Sequence, residues 1–515
     1  MKYSKFRLWL SILLFCLLLS LDIWLGISIA KLDMLPANYL AFVIAAMVLA
    51  ALLPALLLFA GKKPKGLFRQ ILGWVLSIVI CIGCFVAAGA LSKAHNTISS
   101  VTNTPTIDAV VDVYVLADDS AQTLGDAREY TFAVSESYDW ENTCKALDAI
   151  QTELRKEITT ASFSSVFAMA DALYAGEVDA IILNSAFLDI FSELDTYAGF
   201  PEDIKTIYEY AVTSTPPDIP SETSPAETNP TAPKIPPISQ AGHKLESAPF
   251  LIYLSGSDTR SKLLTTSRSD VNIIAAVNPQ TKQVLLLNTP RDYFVGNPAG
   301  NGAKDKLTHC GIYGIDCSVQ ALENLYNTQI SYYAQINFTG FKTLIDAVGG
   351  VTVYSDVSFI TTHGNHPINV GENHLNGAEA LGFARERYSL AGGDNDRGKN
   401  QMKIISAFID KLSAETVASN YADILESLEG MFITNMPQSK LSELVKMQIS
   451  DMSPWNVISY AVSGTGGSDI TFSMPGFYAY VTYPNERSVA LASELIDRVL
   501  SGEKISQKDL SLDKS

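Results

Sequence analysis

The sequence predicts a membrane-anchored α/β protein, and three observations support this fold class. Three apolar runs, at roughly 8–30, 38–60 and 71–92, occupy the N-terminal part of the chain. Strand-like and helix-like segments then alternate over residues 105–212, and again over residues 248–500. A stretch rich in proline, serine and threonine separates the two α/β regions. At 515 residues the chain is long enough for more than one folded unit.

The N-terminal region, residues 1–95, is predicted to be a three-helix membrane anchor, because each apolar run reaches the length of about 20 residues that crosses a bilayer. Seven of its nine basic residues precede the first run or lie in the loop 61–70 between the second run and the third. Lysine and arginine stay in the cytoplasm. We therefore expect a multi-pass protein of the cell membrane with a cytoplasmic N-terminus and an extracellular chain after about residue 95. A cleaved signal peptide is disfavoured by the length of the first run and by the two runs that follow.

The net charge of −17 conceals a split, because residues after position 95 carry 28 basic and 52 acidic side chains. A region this acidic is a poor nucleic-acid binder, since neutralisation of phosphates supplies most of that affinity. An anionic ligand would need a local basic pocket instead.

Residues 105–212 are predicted to form a small α/β domain. Strand-like runs cover 109–116 and 178–183, and a helical period covers 142–157. The region shows no constellation of charges, so a spacer or interaction role is favoured over catalysis. Residues 213–247 form a Pro/Ser/Thr-rich linker that cannot bury a core.

Residues 248–500 are predicted to form the larger α/β domain, followed by a polar tail at 501–515. The strand-like segments are 249–254, 271–277 and 283–288, and the helix-like segments are 317–326, 338–348, 377–383 and 401–412. A helix between Cys310 and Cys317 would hold these residues about 10 Å apart, too far for a disulfide, so we expect free thiols.

Polar residues lie at the ends of the predicted strands, where ligands gather in α/β sheets. Asp258 follows the first strand, Arg268 and Asp270 precede the second, and Arg291 follows the third. The two aspartates could hold one Mg²⁺, which takes one or two carboxylates besides phosphate oxygens and water. The arginines could hold those phosphates. The hypothesis depends on this joint placement, because a lone Arg–Asp pair is usually a surface ion pair.

The segment from Arg385 to Gln401 is the most densely charged part of the domain, with seven charged residues within positions 385–399. Arg385 and Arg387 point to the same side if the segment is extended. Guanidinium groups match phosphate oxygens in shape and charge. The segment is therefore predicted to hold a polyanion.

Between residues 248 and 412 an ordered set of motifs runs along the chain: Ser267-Arg268-Ser269-Asp270, Thr289-Pro290-Arg291-Asp292, Lys306-Leu307-Thr308-His309, Asn337-Phe338-Thr339-Gly340-Phe341, Asp346-Ala347-Val348-Gly349-Gly350-Val351, and Leu375 through Arg387. This set resembles the LytR–CpsA–Psr family of extracellular, membrane-anchored proteins. The three apolar runs and the Asp394–Gln401 stretch look most like the streptococcal capsule branch of that family. Residues 105–212 are similar to the accessory domain of that branch.

The resemblance implies a central sheet flanked by helices and a phosphotransferase that moves a glycan from an undecaprenyl-pyrophosphate carrier to peptidoglycan. It implies Mg²⁺, or Mn²⁺, on Asp258 and Asp270. It implies that Asp394 and Arg397 support the chemistry together with Arg268 and Arg291, with Asp394 a candidate base. By position, the residues that would hold the pyrophosphate are Arg268, Arg291, Arg385, Arg387 and Gln401, with Lys306 at a basic position of open role.

Capsular polysaccharide is the favoured polymer, with teichoic-type polymers next. The implied partners are the lipid-linked glycan, peptidoglycan, membrane lipids and membrane proteins of capsule synthesis, with no nucleic acid. The isoprenoid tail needs an apolar groove, and the candidates to line it are Phe338, Phe341, Leu344, Ile345 and Phe359, for each of which core packing is the more frequent role. His309 is interpreted as a surface histidine or one with satisfied hydrogen bonds.

Two other functions remain open. The first is a membrane regulator that senses lipid-linked intermediates, supported only by the basic loop 61–70 and lacking an output domain. The second is a polyprenyl-pyrophosphate phosphatase, in which water would replace the acceptor.

Overall fold

The computed structural model describes residues 2–59, 64–103, 106–214, 248–257, 266–412 and 430–511. Within these residues the chain has three long apolar helices and two separate β-sheets with helices packed against them. The predicted fold class is confirmed. The linker after residue 214 and the candidate metal ligand Asp258 lie outside the described residues.

The N-terminal helices are long and apolar enough to cross a membrane, as predicted, over Phe6–Leu32, Ala37–Leu58 and Leu67–Asn96. Asp22 lies inside the first of them and accepts a hydrogen bond from the Cys84 thiol at 3.4 Å, so this carboxyl group joins two membrane helices. The full helices are α1 (Lys2–Leu32), α2 (Ala37–Leu58) and α3 (Pro64–Asn103).

The accessory domain follows as a five-stranded sheet with strand order β3-β2-β4-β1-β5. The central strand β4 is parallel to β2 and antiparallel to β1. The predicted strands and helix are confirmed to within a few residues. The elements are β1 (Thr106–Leu116), β2 (Thr131–Ser135), α4 (Trp140–Leu154), β3 (Thr159–Phe163), α5 (Val166–Tyr174), β4 (Ala180–Asn184), α6 (Leu188–Phe191), α7 (Phe200–Asp203) and β5 (Ile204–Ser214).

The C-terminal domain contains a six-stranded mixed sheet and four two-stranded sheets. Its strands are β6 (Phe250–Ser257), β7 (Ser269–Asn278), β8 (Gln283–Asn288), β9 (Phe294–Asn297), β10 (Ala303–Lys306), β11 (Tyr332–Asn337), β12 (Val351–Ser355), β13 (Phe359–Ile360), β14 (Pro367–Ile368), β15 (Gly371–Leu375), β16 (Phe432–Thr434), β17 (Asn456–Ala461), β18 (Gly464–Thr471) and β19 (Met474–Pro484). Its helices are α8 (Leu307–Cys310), α9 (Ile315–Tyr326), α10 (Phe338–Ala347), α11 (Gly377–Arg385), α12 (Asp394–Leu412), α13 (Gln438–Ser450) and α14 (Glu486–Leu500).

The six-stranded sheet, in the order β16-β11-β6-β7-β8-β17, has helices on both faces. Alternate residues of a strand point to opposite faces. On β7, Ile274 joins the core that includes α9 and α14, whereas Ile273 packs with Met402 of α12. All six residues of β8 are buried, as its apolar sequence predicts.

Two local expectations were wrong. Helix α12 begins at Asp394 and not at Gln401, so the charged stretch forms its first two turns. The chain between Cys310 and Cys317 is not one helix, because α8 ends at Cys310 and Gly314, with φ of +102°, separates a short 3₁₀ turn from α9. The two thiols are free and buried, but the break brings them within hydrogen-bonding distance of each other.

The C-terminal domain contacts the membrane helices at the ends of α1 and α3. Lys446 of α13 forms an ion pair with Asp33 at 2.7 Å, and Gln438 hydrogen-bonds to His95 at 3.2 Å. The larger domain therefore lies at the same end of the helices as the short connection between α1 and α2.

The accessory domain docks on the C-terminal domain through a buried aromatic cluster. Phe167 packs against Phe477, with ring centroids 4.8 Å apart, and Phe187 packs edge-on against Tyr313 at 5.5 Å. Burial of large aromatic side chains contributes most of the stability of such contacts. This interface fixes the position of α6 and the residues after it.

A buried polar network lies beside the aromatic cluster. His309 of α8 is fully buried, with Asp305 at 2.7 Å from one ring nitrogen and Glu193 of the accessory domain at 3.2 Å from the other. Burial disfavours the charged imidazole, but these two carboxylates outweigh it and raise the pKa of His309 to about 9. His309 is therefore a charged link between the domains at neutral pH.

We predict that the charge on His309 stabilises the folded chain below about pH 6.5, its ordinary pKa, and that this contribution is lost as pH rises through about 9. His309→Gln should remove about 1–3 kcal/mol at pH 7 and little at pH 10. Thermal unfolding between pH 7 and pH 10.5 measures the difference from wild type, with His374→Gln, on the exposed face of β15, as the control. A destabilisation that is equal at both pH values would contradict a charged His309.

Candidate functional site

The centre of the candidate site is Asp270, at the start of β7. Its Oδ1 atom accepts a hydrogen bond from the Arg291 guanidinium at 2.9 Å. Burial opposes ionisation of this carboxyl group, but Arg291, Arg397 and Arg268 together hold its pKa below the ordinary value. Arg291 is also close to the carboxylate of its neighbour Asp292, at 3.7 Å. Three of the predicted arginines thus surround one predicted metal ligand.

One face of α12 contributes Asp394, Arg397 and Gln401, which are spaced by three and four residues and so lie along one side of the helix. Arg397 pairs with Asp394 at 2.6 Å and donates to the main-chain oxygen of Asp270 at 3.4 Å. Gly398 allows this close approach, because a Cβ atom there would collide with the side chain of Asn288 at the end of β8.

Gln401 connects the centre of the site to the end of α11, where Arg385 lies and Arg387 follows. Its amide nitrogen donates to the main-chain oxygen of Ala384 at 3.3 Å. Helix α11 begins with a capping box formed by Asn376 and Glu379, and it ends at Arg385. The capped helix therefore fixes the position of Arg385 next to α12.

Arg385 and Arg387 pack on different aromatic rings. The Arg385 guanidinium lies 4.4 Å from the centre of the Phe338 ring, and that of Arg387 lies 4.6 Å from the centre of the Tyr388 ring. Arg385 belongs to α11, Glu386 is extended, and turns occupy residues 388–393, so the segment as a whole is not extended. Stacking on an aromatic ring orients a guanidinium group.

Glu386, between the two arginines, has a structural role that the sequence did not indicate. Its fully buried carboxylate accepts hydrogen bonds from the main chain of Thr362 and of Ser389. Burial opposes ionisation, but these bonds lower its pKa. The residue therefore ties the arginine-bearing turn to the β13–β14 hairpin.

Arg268 and Lys306 point toward the accessory domain. Arg268 pairs with Glu193 at 3.2 Å and with Asp189 at 3.4 Å. Lys306 pairs with Glu193 at 2.6 Å and with Asp292 at 3.5 Å. Position 193 is 75 residues from Arg268 along the chain, and no pattern in the sequence marks Glu193 as a member of this site.

Of the two predicted metal ligands, Asp270 lies among the described residues and Asp258 lies outside them. Within the described part of the chain no group of three or more His, Cys, Asp or Glu side chains is arranged to hold a metal. The ion pair with Arg291 engages Oδ1 of Asp270. Mg²⁺ takes one or two carboxylates and fills its other positions with phosphate oxygens and water, so this donor fits Mg²⁺ held jointly with a phosphorylated ligand.

An incompletely buried apolar cluster borders the arginines. Phe341, Leu344 and Phe359, all predicted to line a groove, are partly buried against a core that contains Ile345. Ile345 is 1% exposed and is a core residue. Arg385 stacks on Phe338 and directly follows Phe383 and Ala384, which belong to the apolar cluster, so the charged group borders the apolar one.

Comparison with known proteins identifies relatives of the C-terminal domain. The model of the LytR_cpsA_psr family matches residues 220–482. The polyisoprenyl-teichoic acid–peptidoglycan teichoic acid transferase TagU of Bacillus anthracis is 33% identical over 210 residues, which are 40% of this chain and 68% of that protein. TagU of Enterococcus faecalis is 34% identical over 190 residues, covering 36% and 62%.

Solved structures resemble the chain over about half of its length. The crystal structure of TagV from B. subtilis covers 50% of this chain and 99% of its own, with a TM-score of 0.42 at 24% identity. The structure of TagT bound to LI-WTA covers 51% and 95%, with a TM-score of 0.40 at 25% identity. The family match spans slightly more than half of the chain, and the chain therefore belongs to the LytR_cpsA_psr family.

Proposed function

We propose that this protein is a Mg²⁺-dependent phosphotransferase that attaches a glycan polymer, carried on undecaprenyl pyrophosphate, to peptidoglycan outside the cell membrane. The observation that carries the proposal is the position of Arg385, whose guanidinium group stacks on Phe338 and whose neighbour Ala384 belongs to a partly buried apolar cluster, because guanidinium groups suit phosphate oxygens. A lipid pyrophosphate has the same two parts, an anionic head and an apolar tail. The relatives are named for the transfer of polyisoprenyl-linked teichoic acid to peptidoglycan, which supports the same reaction class here.

The proposed reaction joins an acceptor hydroxyl to the phosphorus atom that bears the glycan. The bond from that phosphorus to the bridging oxygen breaks, and undecaprenyl phosphate leaves with the electron pair. Phosphoryl transfer requires mainly positioning and charge stabilisation. Arg291, Arg385, Arg387 and Gln401 are proposed to bind the pyrophosphate, together with Arg268 and Lys306. When bound at Asp270, Mg²⁺, or Mn²⁺ in its place, would offset charge that develops on the leaving phosphate.

Asp394 is the proposed general base. A sugar hydroxyl is a weak nucleophile, so a carboxylate within hydrogen-bonding reach would take its proton as the new bond forms. Asp394 lies on the first turn of α12 with its side chain about one-quarter exposed, and Arg397 holds it at 2.6 Å. Arg397 is thus proposed to orient the base.

The proposed polymer is a capsular polysaccharide, by resemblance to the capsule branch, and the alternative is a teichoic-type polymer, by the names of the relatives. The extracellular placement is supported by the ion pair between Lys446 and Asp33. This contact lies at the end of the membrane helices opposite the basic loop 61–70, which is the part expected in the cytoplasm.

The direct test incubates the purified full-length chain with undecaprenyl-pyrophosphate-linked glycan, peptidoglycan and Mg²⁺. The proposal predicts glycan joined to peptidoglycan, and loss of this product when a chelator removes the metal. Free phosphate with no acceptor-linked glycan would indicate a phosphatase instead. Binding of the lipid without either product would favour a sensor.

We predict that Arg291→Ala and Arg385→Ala each weaken binding of undecaprenyl pyrophosphate about tenfold or more, because each removes a charge-assisted hydrogen-bond donor. The control is Arg487→Ala, at an exposed position of α14. Titration of the full-length chain in detergent measures the dissociation constants. Wild-type affinity in both variants would refute the location of the pyrophosphate site.

We predict that Asp394→Asn lowers kcat by about 10²–10⁴-fold, the usual contribution of a general base. Lipid affinity should change little, because Asp394 contacts the acceptor and not the pyrophosphate. Asp410→Asn, on the exposed end of the same helix, is the matched control. A kcat within about twofold of wild type would exclude Asp394 as the base.

A further inference from the structure

The accessory domain places one carboxylate among three cations of the C-terminal domain. Glu193, two residues beyond the end of α6, accepts hydrogen bonds from Lys306 at 2.6 Å and from Arg268 at 3.2 Å. It also lies 3.2 Å from the imidazole of His309. Two of these cations belong to the proposed pyrophosphate site, so an accessory-domain residue contacts that site directly.

Glu193 is held firmly in this position. Phe187 and Phe191, which precede it, are each no more than 1% exposed, and Phe187 packs on Tyr313 of the C-terminal domain. The Glu193 side chain itself is 16% exposed. Separating the domains would expose this whole aromatic cluster to water, which costs about 25 cal/mol for each Å² of apolar surface. The carboxylate is therefore a fixed part of the structure.

Each of the two cations has a second acidic partner that lies farther away. Arg268 has Asp189 at 3.4 Å, and Lys306 has Asp292 at 3.5 Å. Without the Glu193 charge, Arg268 would be drawn toward Asp189 and Lys306 toward Asp292. Attraction between charges rises as the separation falls, and it is strong at poorly hydrated positions. Glu193 thus holds Arg268 away from Asp189 and Lys306 away from Asp292.

We propose that Glu193 is a positioning residue for pyrophosphate binding, which holds Arg268 and Lys306 where they can bind the ligand phosphates together. The accessory domain is accordingly a component of the binding site and not a spacer. The inference rests on the proposed function, since it assumes that these two cations bind pyrophosphate. It differs from autoinhibition, in which the carboxylate would occupy the place of a phosphate and its removal would tighten binding.

The test measures the affinity of the full-length chain in detergent for undecaprenyl pyrophosphate. Glu193→Gln keeps the shape and removes the charge, so we expect about tenfold weaker binding, typical of a lost charge-assisted hydrogen bond. Asp195→Asn removes an exposed charge two residues away and should leave the affinity unchanged. The melting temperature of each variant shows whether it is folded.

Two further variants separate positioning from a general effect on the fold. In a Lys306→Met background, Glu193→Gln should weaken binding less than about threefold, compared with about tenfold in the wild-type background. The effects of the two substitutions are not additive, because part of the effect of Glu193 acts through Lys306. Glu193→Asp keeps the charge and shortens the side chain, so it should bind more weakly than wild type; this variant decides the question if Glu193→Gln does not fold.

The outcomes are distinct. Tighter binding by Glu193→Gln would show that the carboxylate competes with phosphate, and unchanged binding would show that it has no role in the site; either result overturns the inference. Wild-type affinity in Glu193→Asp would overturn it too. So would a loss of affinity on Glu193→Gln that is the same in the wild-type and the Lys306→Met backgrounds. If the wild-type chain does not bind undecaprenyl pyrophosphate at all, the proposed function fails first.

Discussion

The candidate site depends on the pairing of cations that are largely removed from water. Arg268, Arg291, Lys306 and Arg397 have side chains that are between 6% and 18% exposed, and each forms an ion pair with at least one carboxylate. A desolvated charge without a partner is costly, so a cluster of this kind can form only if acidic residues surround it. The partners come from β7, from α12 and from the accessory domain, and their requirement for close contact fixes how these parts pack.

The cations of this cluster are paired with carboxylates of the same chain. A cluster that is neutralised by its own carboxylates exerts little long-range attraction on anions. Such a cluster favours ligands that bring a divalent cation or that match the fork shape of the guanidinium groups. It also lies in a domain that contacts the ends of α1 and α3.

The sequence predicted the elements with strong periodicity well. The run 283–288, with four apolar residues between Gln283 and Asn288, became β8 with those bounds, and the three membrane helices lie where long apolar runs require them. The sequence-based predictions failed where a residue that is distant along the chain determines the local structure. Asp394 starts a helix because Arg397 and Gly398 pack it against β7 and β8, and Glu193 joins the site only because an aromatic interface brings it there. Arg268, Arg291, Asp270 and Arg397 were predicted from their positions at strand ends and from the resemblance, and the structure does bring them together.

The central claim is that the protein joins a glycan to peptidoglycan through a phosphodiester. Mass analysis of wall fragments, from cells that contain this protein and from cells that lack it, tests the claim most directly. The account predicts fragments in which the glycan is linked to peptidoglycan through one phosphate, and it predicts that they are lost when the protein is absent. Equal amounts of such fragments in both kinds of cell would contradict it.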